Sequence, residues 1–194
     1  MPKKVGILSG TFDPVHNGHV AFAQAALESL DIVYFLPEKT PWRKTGCASY
    51  EDRVEMLELA TEDTKGLHVL KIQDQEQFTV ADTLPRLQKV FIGEELYMLM
   101  GSDLFGHLPS WPGVEELSET VQFIVGLREK SDEADLIEIA KKLPPSAHYT
   151  TIQTNEAHTS SSKIRQTIAE GKQVDLPSAV LQYIQAKDLY HPVY

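Results

Sequence analysis

The sequence has one cysteine, no long apolar run and fewer cations than anions. Cys47 cannot form an internal disulfide, and neither a signal-peptide pattern nor a run of about 18 apolar residues is present, so we expect a reduced, cytoplasmic protein without a membrane partner. The 28 Asp and Glu outweigh the 18 Lys and Arg and give a net charge of −10. Sequence-independent binding of nucleic acid needs many cations facing phosphates, so this balance argues against a nucleic-acid polymer as partner. A small anionic ligand is still compatible with it, provided that a local cluster of His, Lys, Arg or helix N-termini binds that ligand.

The length of the chain and the alternation of apolar runs with helical patterns predict the fold. A chain of 194 residues is expected to form one domain, residues 1–194, with a helical C-terminal portion from about residue 160. Strands alternating with helices predict an α/β fold with a single Rossmann-like, doubly wound parallel sheet of about five to six strands and helices on both faces. We predict strands at residues 3–8, 32–36, 68–72, 96–100, 121–127 and 149–152.

Capping patterns predict where the helices begin. Asp13-Pro14 is an N-cap candidate for the first helix, and Ser49 and Thr79, each followed three residues later by aspartate, predict the starts of two more. The segment around Pro109 is expected to be a short loop. Later helices are expected at residues 132–143, through Ile164 and Ile168, and at residues 177–186.

Three segments are expected to form the walls of one site. Ligands of open parallel sheets bind at the carboxyl ends of the strands. Residues 9–19, 101–103 and 159–165 each follow a predicted strand directly or after a short turn. We therefore expect these segments to meet at one edge of the sheet.

The clearest chemical signal is the segment Gly-Thr-Phe-Asp-Pro-Val-His-Asn-Gly-His at residues 10–19. At about 100° per residue, His16 and His19 would lie ~60° apart on one face of a helix. Gly18 has no side chain between them, so a phosphate chain can approach the backbone in the positive field of a helix N-terminus. Neither the dinucleotide-binding glycine pattern nor a Walker sequence is present.

A histidine pair at this spacing has other interpretations. It can be half of a metal site, or two unrelated surface histidines. Zinc is disfavoured because Cys47 is distant in sequence and no further ligand stands at an obvious spacing. The preceding strand, the glycines and the Asp-Pro pair favour phosphate binding.

A second signal is the segment Thr-Ser-Ser-Ser-Lys-Ile-Arg at residues 159–165. Hydroxyls and backbone N–H groups at a helix N-terminus bind anions, and Arg165 adds a permanent charge one turn later. A serine-rich turn by itself is more often only a helix cap. Its position after the last predicted strand favours anion binding.

These segments resemble the signatures of the His-x-Gly-His nucleotidyltransferases, and among them the bacterial nicotinate-nucleotide adenylyltransferases. The opening pattern of that family, Gly-Gly-x-Phe-Asp-Pro-x-His-x-Gly-His, matches residues 9–19 except that Ser9 replaces the first glycine. The second pattern, Ile-Ser-Ser-Thr-x-Ile-Arg, matches residues 159–165 with two conservative replacements. Weaker similarity covers residues 37–44, 49–56, 78–84 and 101–111, and the usual Arg-x-Gly-x-Ser is absent at residues 74–77.

The resemblance implies transfer of AMP from ATP to nicotinate mononucleotide, giving deamido-NAD and pyrophosphate in NAD biosynthesis. Mg²⁺ would bind with ATP and bridge phosphate oxygens rather than occupy a protein cage. The catalytic residues implied are His16, His19 and Arg165. The ATP-binding residues implied are Gly10, Thr11, Phe12, Gly18, Gly101, Asp103, Ser160, Ser161 and Ser162. The mononucleotide-binding residues implied are Lys44, Arg53, Thr79, Thr83 and Trp111.

Two alternatives stay open at this point. A relative with the same fold could act on nicotinamide mononucleotide or phosphopantetheine, which the irregular segment at residues 74–77 favours. The other alternative is a nucleotide-binding protein that has lost catalytic activity. In that case Ser9 and Thr159 would be early substitutions in its former catalytic motifs. Retention of both histidines, Asp103 and Arg165 argues against it. The sequence also leaves a homo-oligomer open.

Overall fold

The computed structural model describes residues 1–40, 48–72, 78–127, 132–154 and 160–190. The strands are β1 (Lys4–Gly10), β2 (Ile32–Pro37), β3 (Leu67–Val69), β4 (Glu95–Gly101), β5 (Val121–Leu127) and β6 (Tyr149–Gln153). They form one six-stranded sheet in the order β3-β2-β1-β4-β5-β6, and every neighbouring pair is parallel. The strand order reverses between β1 and β4, which is where open α/β sheets bind ligands.

The described residues form eight α-helices and one short 3-10 turn, Leu108–Ser110. None of these helices is long and apolar enough to cross a membrane. The α-helices are α1 (Asn17–Ala26), α2 (Tyr50–Thr61), α3 (Val80–Val90), α4 (Ser102–His107), α5 (Val114–Thr120), α6 (Asp132–Ala140), α7 (Ser161–Ala169) and α8 (Ser178–Ala186).

The helices cover both faces of the sheet. Successive side chains of a strand point to opposite faces, and both faces are apolar here. Leu99 and Ile124 pack with side chains of α1, α2, α7 and α8, whereas Met98 and Phe123 pack with side chains of α3, α4, α5 and α6. The predicted doubly wound α/β fold is therefore confirmed.

The first helix begins later than the sequence predicts. Asp13 does not cap it, because its carboxylate is only 1% exposed and accepts the backbone N–H of Ala48 at 3.0 Å. Helix α1 begins instead at Asn17, with His16 in the N-cap position. His16 thus lies just before the first turn, and the expected arrangement of two histidines on one helix face is replaced by a capping arrangement.

The segment between β4 and β5 is helical, whereas the sequence predicts a loop. Phe105 and Leu117 are fully buried, so α4 and α5 cover apolar surface of the sheet that a loop would leave exposed. Pro109 lies in the first turn of the 3-10 segment, where its missing N–H has no partner to lose. Gly113 has φ of 82°, a left-handed conformation that favours glycine, and it caps α5. The turn-forming residues therefore separate two short helices.

Candidate active site

An open cleft of about 350 Å³ lies at the carboxyl ends of β1, β4 and β5. All three segments that the sequence predicts as walls contribute to it. The expected site residues that line the cleft are Gly10, Phe12, His16, Gly18, His19, Gly101, Asp103, Ser160 and Ser161.

His16 and His19 form a stacked pair at the start of α1. Their ring centroids are 3.7 Å apart and their planes are inclined by 23°. The backbone N–H of His16 donates to Nδ1 of His19 at 3.3 Å, and Phe12 packs edge-on against the His19 ring at 5.1 Å. Because Nδ1 accepts this hydrogen bond, the neutral His19 ring carries its proton on Nε2, where it is a donor. The pair suits an anion better than a cation.

Three helices begin at the cleft. His16 is the N-cap of α1, Gly101 that of α4 and Ser160 that of α7, and all three residues line the cleft. Helix N-termini carry partial positive charge and unbonded N–H groups, so they attract phosphate. Among the described lining residues, the titratable side chains are His16, His19 and Asp103. In the parts of the chain that the structure describes, no group of three or more His, Cys, Asp and Glu is arranged to hold a metal ion.

Gly101 makes room for the side chain of Asp103. A Cβ at position 101 would lie 2.6 Å from Oδ1 of Asp103, closer than such contacts occur. The carboxylate therefore folds back over the end of β4, in the first turn of α4 and at the wall of the cleft. A carboxylate at this place can accept hydrogen bonds from ribose hydroxyls.

The serine-rich turn both caps a helix and lines the cleft. Ser160 Oγ accepts a hydrogen bond from the backbone N–H of Lys163 at 3.3 Å, so Ser160 is the N-cap of α7. Ser161 Oγ donates to the carbonyl of Pro14 at 2.9 Å and so ties the second signature to the first. Ser162 is exposed and outside the cleft lining, and Thr159 lies outside the described residues.

Arg165 points toward the loop that carries His16 rather than into the cleft. This loop, residues 11–16, connects β1 to α1 and is called the His16 loop below. Arg165 Nη1 donates to the carbonyl of Asp13 at 2.7 Å and lies 3.4 Å from Asp13 Oδ2. The described lining of the cleft does not include Arg165, although the sequence predicts a phosphate contact for it. In this structure Arg165 holds the loop in place.

Arg53 is a buried structural cation, whereas the sequence predicts a ligand contact for it. Its side chain lies in the interior, and the residue is 1% exposed. The guanidinium donates to the backbone carbonyls of Thr11 at 2.7 Å, Glu38 at 2.9 Å, Lys39 at 3.0 Å and Ala48 at 3.3 Å. Arg53 thus fixes the His16 loop against the end of β2, and four of its five N–H donors bond to the protein itself. Thr11 is itself buried and contributes its carbonyl to this arrangement.

The described residues that are predicted to bind the mononucleotide lie outside the lining of the cleft. Thr79 caps α3 by accepting the Asp82 N–H at 3.2 Å, and Thr83 is fully buried. Trp111 lies beside the start of α3, with its ring 6.1 Å from that of Phe78. Neither Thr79 nor Trp111 belongs to the described lining of the cleft. Lys44 lies outside the described residues.

Gly126 also lines the cleft, although the motifs in the sequence do not predict it as a site residue. A Cβ at this position would lie 3.2 Å from the ring of Phe22, so glycine lets α1 pack closely over β5. A glycine inside an otherwise apolar strand is a signal of such close approach. That signal was present in the Val-Gly-Leu sequence at residues 125–127.

Comparison with known proteins agrees with the geometry of the cleft. The chain matches the cytidylyltransferase-like family over residues 7–167. It is 33% identical over 197 residues to a protein of Shouchella clausii described as a probable nicotinate-nucleotide adenylyltransferase, with 97% of each chain covered. A protein of Solibacter usitatus with the same description is also 33% identical, covering 97% of this chain and 100% of its own.

A solved structure has the same fold. Plasmodium falciparum nicotinic acid mononucleotide adenylyltransferase complexed with NaAD superimposes with a TM-score of 0.77 at 22% identity, covering 97% of both chains. By its family match and its full-length relatives, the chain belongs to the cytidylyltransferase-like family.

Proposed function

We propose that the protein is a nicotinate-nucleotide adenylyltransferase, which transfers AMP from ATP to nicotinate mononucleotide and releases pyrophosphate. The observation that carries the proposal is the stacked pair of His16 and His19 in a cleft bordered by three helix N-termini. The full-length relatives described as probable nicotinate-nucleotide adenylyltransferases support the choice of substrates. The structural neighbour in complex with NaAD, the adenylylated product, agrees with that choice.

The reaction requires positioning more than acid–base chemistry. A phosphate oxygen of the mononucleotide attacks the α-phosphorus of ATP, and a new P–O bond forms. The bond from the α-phosphorus to the bridging oxygen breaks, and pyrophosphate leaves with the electron pair. The attacking phosphate is already anionic at neutral pH, so no general base is needed. Catalysis then depends on orientation and on stabilising charge on the leaving group.

The cleft residues supply these functions. His16 and His19 contact the phosphates, with Nε2–H of His19 as a donor, and the N-termini of α1 and α7 stabilise negative charge. Gly10 and Gly18 allow the phosphates to approach the backbone. The carboxylate of Asp103 accepts a hydrogen bond from a ribose hydroxyl group. Mg²⁺ would enter with ATP as part of the substrate and would offset negative charge on its phosphates.

The remaining predicted site residues divide into two groups. Arg53 supports the His16 loop through its bonds to backbone carbonyls. Arg165 stays the candidate for a phosphate contact that the sequence predicts, and its Nη1 also holds Asp13. Lys44, Thr79 and Trp111 stay candidates for the mononucleotide site. A single domain over residues 1–194, a cytoplasmic location and a homo-oligomer stay predictions.

Pyrophosphate release from ATP and Mg²⁺ with a panel of acceptors tests the proposal. The panel contains nicotinate mononucleotide, nicotinamide mononucleotide and phosphopantetheine, and mass spectrometry identifies the product. We expect the highest kcat/KM with nicotinate mononucleotide. Preference for another acceptor would assign the protein to that reaction on the same fold. If the protein binds ATP but releases no pyrophosphate with any of the acceptors, it is a non-catalytic nucleotide-binding protein.

A further inference from the structure

The carboxylate of Asp13 collects contacts from three distant parts of the chain. Asp13 is 1% exposed, and a buried carboxylate is costly unless it is paired and hydrogen-bonded. Oδ1 accepts the N–H of Ala48 at 3.0 Å and the hydroxyl of Tyr190 at 2.7 Å. Oδ2 lies 3.4 Å from Arg165 Nη1. The residue that anchors the His16 loop is therefore itself held from outside that loop.

Tyr190 belongs to the turn after α8, which neither sequence signature includes. Its ring packs with Leu189 against the core, and its φ of 67° lies in the left-handed region that residues other than glycine rarely adopt. Burial, with the nearby Asp13 carboxylate, raises the pKa of the Tyr190 hydroxyl far above its ordinary value. The hydroxyl thus stays protonated and donates at neutral pH.

We infer that Tyr190 is a positioning residue for the His16 loop, acting through the Asp13 carboxylate. Without its hydroxyl, Oδ1 of Asp13 would retain only the Ala48 N–H, and the carboxylate could turn. Arg165 donates to the carbonyl of Asp13 and forms an ion pair with its carboxylate, so this turn would disturb the ion pair as well. The displacement would be transmitted along the loop to His16 and to its stacked partner His19. The inference rests on the proposed function, because that function assigns phosphate binding to the His16 loop.

The chain offers a matched control in Tyr183. Its hydroxyl donates to Asp52 Oδ1 at 2.8 Å, a tyrosine–carboxylate bond of nearly the same length. Tyr183 lies on α8, seven positions before Tyr190, and Asp52 lies in the first turn of α2. Neither residue lines the described cleft or belongs to the His16 loop. Tyr183→Phe removes the same group from the same end of the chain without touching Asp13.

The test compares Tyr190→Phe with Tyr183→Phe in the full-length protein. Kinetics with ATP and nicotinate mononucleotide give kcat and KM, and NMR spectra of the ligand-free protein give the imidazole C–H resonances. We expect Tyr190→Phe to lower kcat roughly ten- to hundredfold, as small misplacements of catalytic groups do. We also expect it to change the imidazole chemical shifts of His16 and His19. The chemical shifts of His68, on the edge strand β3, should stay the same. Tyr183→Phe should change neither kcat nor the two resonances.

Two results would overturn the inference. One is equal loss of kcat in both tyrosine variants, which would indicate a general packing role. The other is unchanged His16 and His19 resonances in Tyr190→Phe. If wild-type protein releases no pyrophosphate with any acceptor, the proposed function fails. The imidazole spectra still decide whether Tyr190 positions the loop, because they require no turnover.

Discussion

At the scale of the residue, the direction of one hydrogen bond sets the chemistry of His19. The His16 N–H occupies Nδ1 of His19, so the proton of the neutral ring is on Nε2. A donor at that nitrogen needs no proton transfer to stabilise a phosphate. This is why the pair suits charge stabilisation better than general base catalysis.

Replacing either histidine tests this role. We expect His16→Ala and His19→Ala each to lower kcat by roughly a hundredfold or more, the cost of losing one preorganised donor to a developing charge. The far-UV circular dichroism spectrum should stay that of the wild type. His68→Ala, at an exposed position on β3, is the control and should keep full turnover. Near-normal turnover of both active-site variants would remove the proposed mechanism.

The arginines show that one residue type performs different tasks in one chain. Arg53 is buried among backbone carbonyls, whereas Arg86 forms an exposed ion pair with Asp82 one turn earlier on α3. A buried hydrogen-bonded cation leaves several acceptors unsatisfied when it is removed. An exposed ion pair of the i,i+4 type contributes little.

Unfolding in urea separates these two cases. Arg53→Ala should lower the free energy of unfolding by about 3 kcal/mol or more, since buried carbonyls lose charged donors. Arg86→Ala should change it by less than about 0.5 kcal/mol. Arg53→Lys should recover only part of the loss, because an ammonium group cannot reach the same set of carbonyls. Similar values for Arg53→Ala and Arg86→Ala would contradict the assigned role of Arg53.

At the scale of the element, α8 is docked through a tyrosine–carboxylate bond to α2. The hydrogen bond from the Ser49 hydroxyl is the largest cause of the lowered pKa of Asp52, burial opposes it, and the Tyr183 hydroxyl lowers the pKa further. Burial and Asp52 in turn raise the pKa of Tyr183 to about 12. The bond therefore joins an ionised acceptor to a protonated donor at neutral pH.

This bond should make the contribution of α8 depend on pH. A carboxyl group whose pKa is lowered by folding stabilises the fold above its unfolded pKa, about 3.9, and this stabilisation is lost as the pH falls further. Tyr183→Phe should cost about 0.5–1 kcal/mol at pH 7, less than is usual for a hydrogen bond to a charged group, because Asp52 is partly exposed. Urea unfolding at pH 7, 5 and 3 should show the gap from wild type shrinking at the lowest pH. A gap that is constant or grows on acidification would contradict this account.

At the scale of the whole molecule, the C-terminal helices share a core with the first strands. Ile164 of α7 and Val180 of α8 belong to the same buried cluster as Leu8, Phe35 and Leu99 of the sheet. The cleft is built from both parts of the chain, since Ser160 and Ser161 line it beside His16. We therefore expect the two parts to fold cooperatively, and we expect a ligand in the cleft to stabilise both of them.

Calorimetry tests this coupling. We expect one unfolding transition, with equal calorimetric and van 't Hoff enthalpies. ATP with Mg²⁺ at about 100 times its Kd should add about 2.7 kcal/mol and raise Tm by about 5–10 °C. Inorganic sulfate at the same ionic strength, as control, should give a smaller shift. Two separate transitions, or an ATP shift of only one of them, would show that the C-terminal helices unfold independently.

Local patterns predicted the fold and most of the cleft. Alternating buried strands and capped helices depend on neighbouring residues, so Ser49 and Thr79 were recognised as caps from sequence. The rule that parallel sheets bind ligands at their carboxyl ends then brought the segments around His16, Asp103 and Ser160 together. Local patterns do not predict the helices between β4 and β5, because the proline and glycine signals there outweigh the short apolar stretches.

The sequence by itself determined the doubly wound sheet, its ligand-binding edge and the histidine pair, because each follows from periodicity, strand order or one short motif. Only the tertiary structure decided what Asp13, Arg53, Arg165 and Tyr190 do. The contacts of Asp13, for example, join it to residues 35 to 177 positions away in the sequence, and no local pattern encodes such contacts. Buried charges need partners wherever the fold places them: Arg53 and Arg165 find theirs in the loop that carries His16, and Asp13, in that loop, finds its partners outside it.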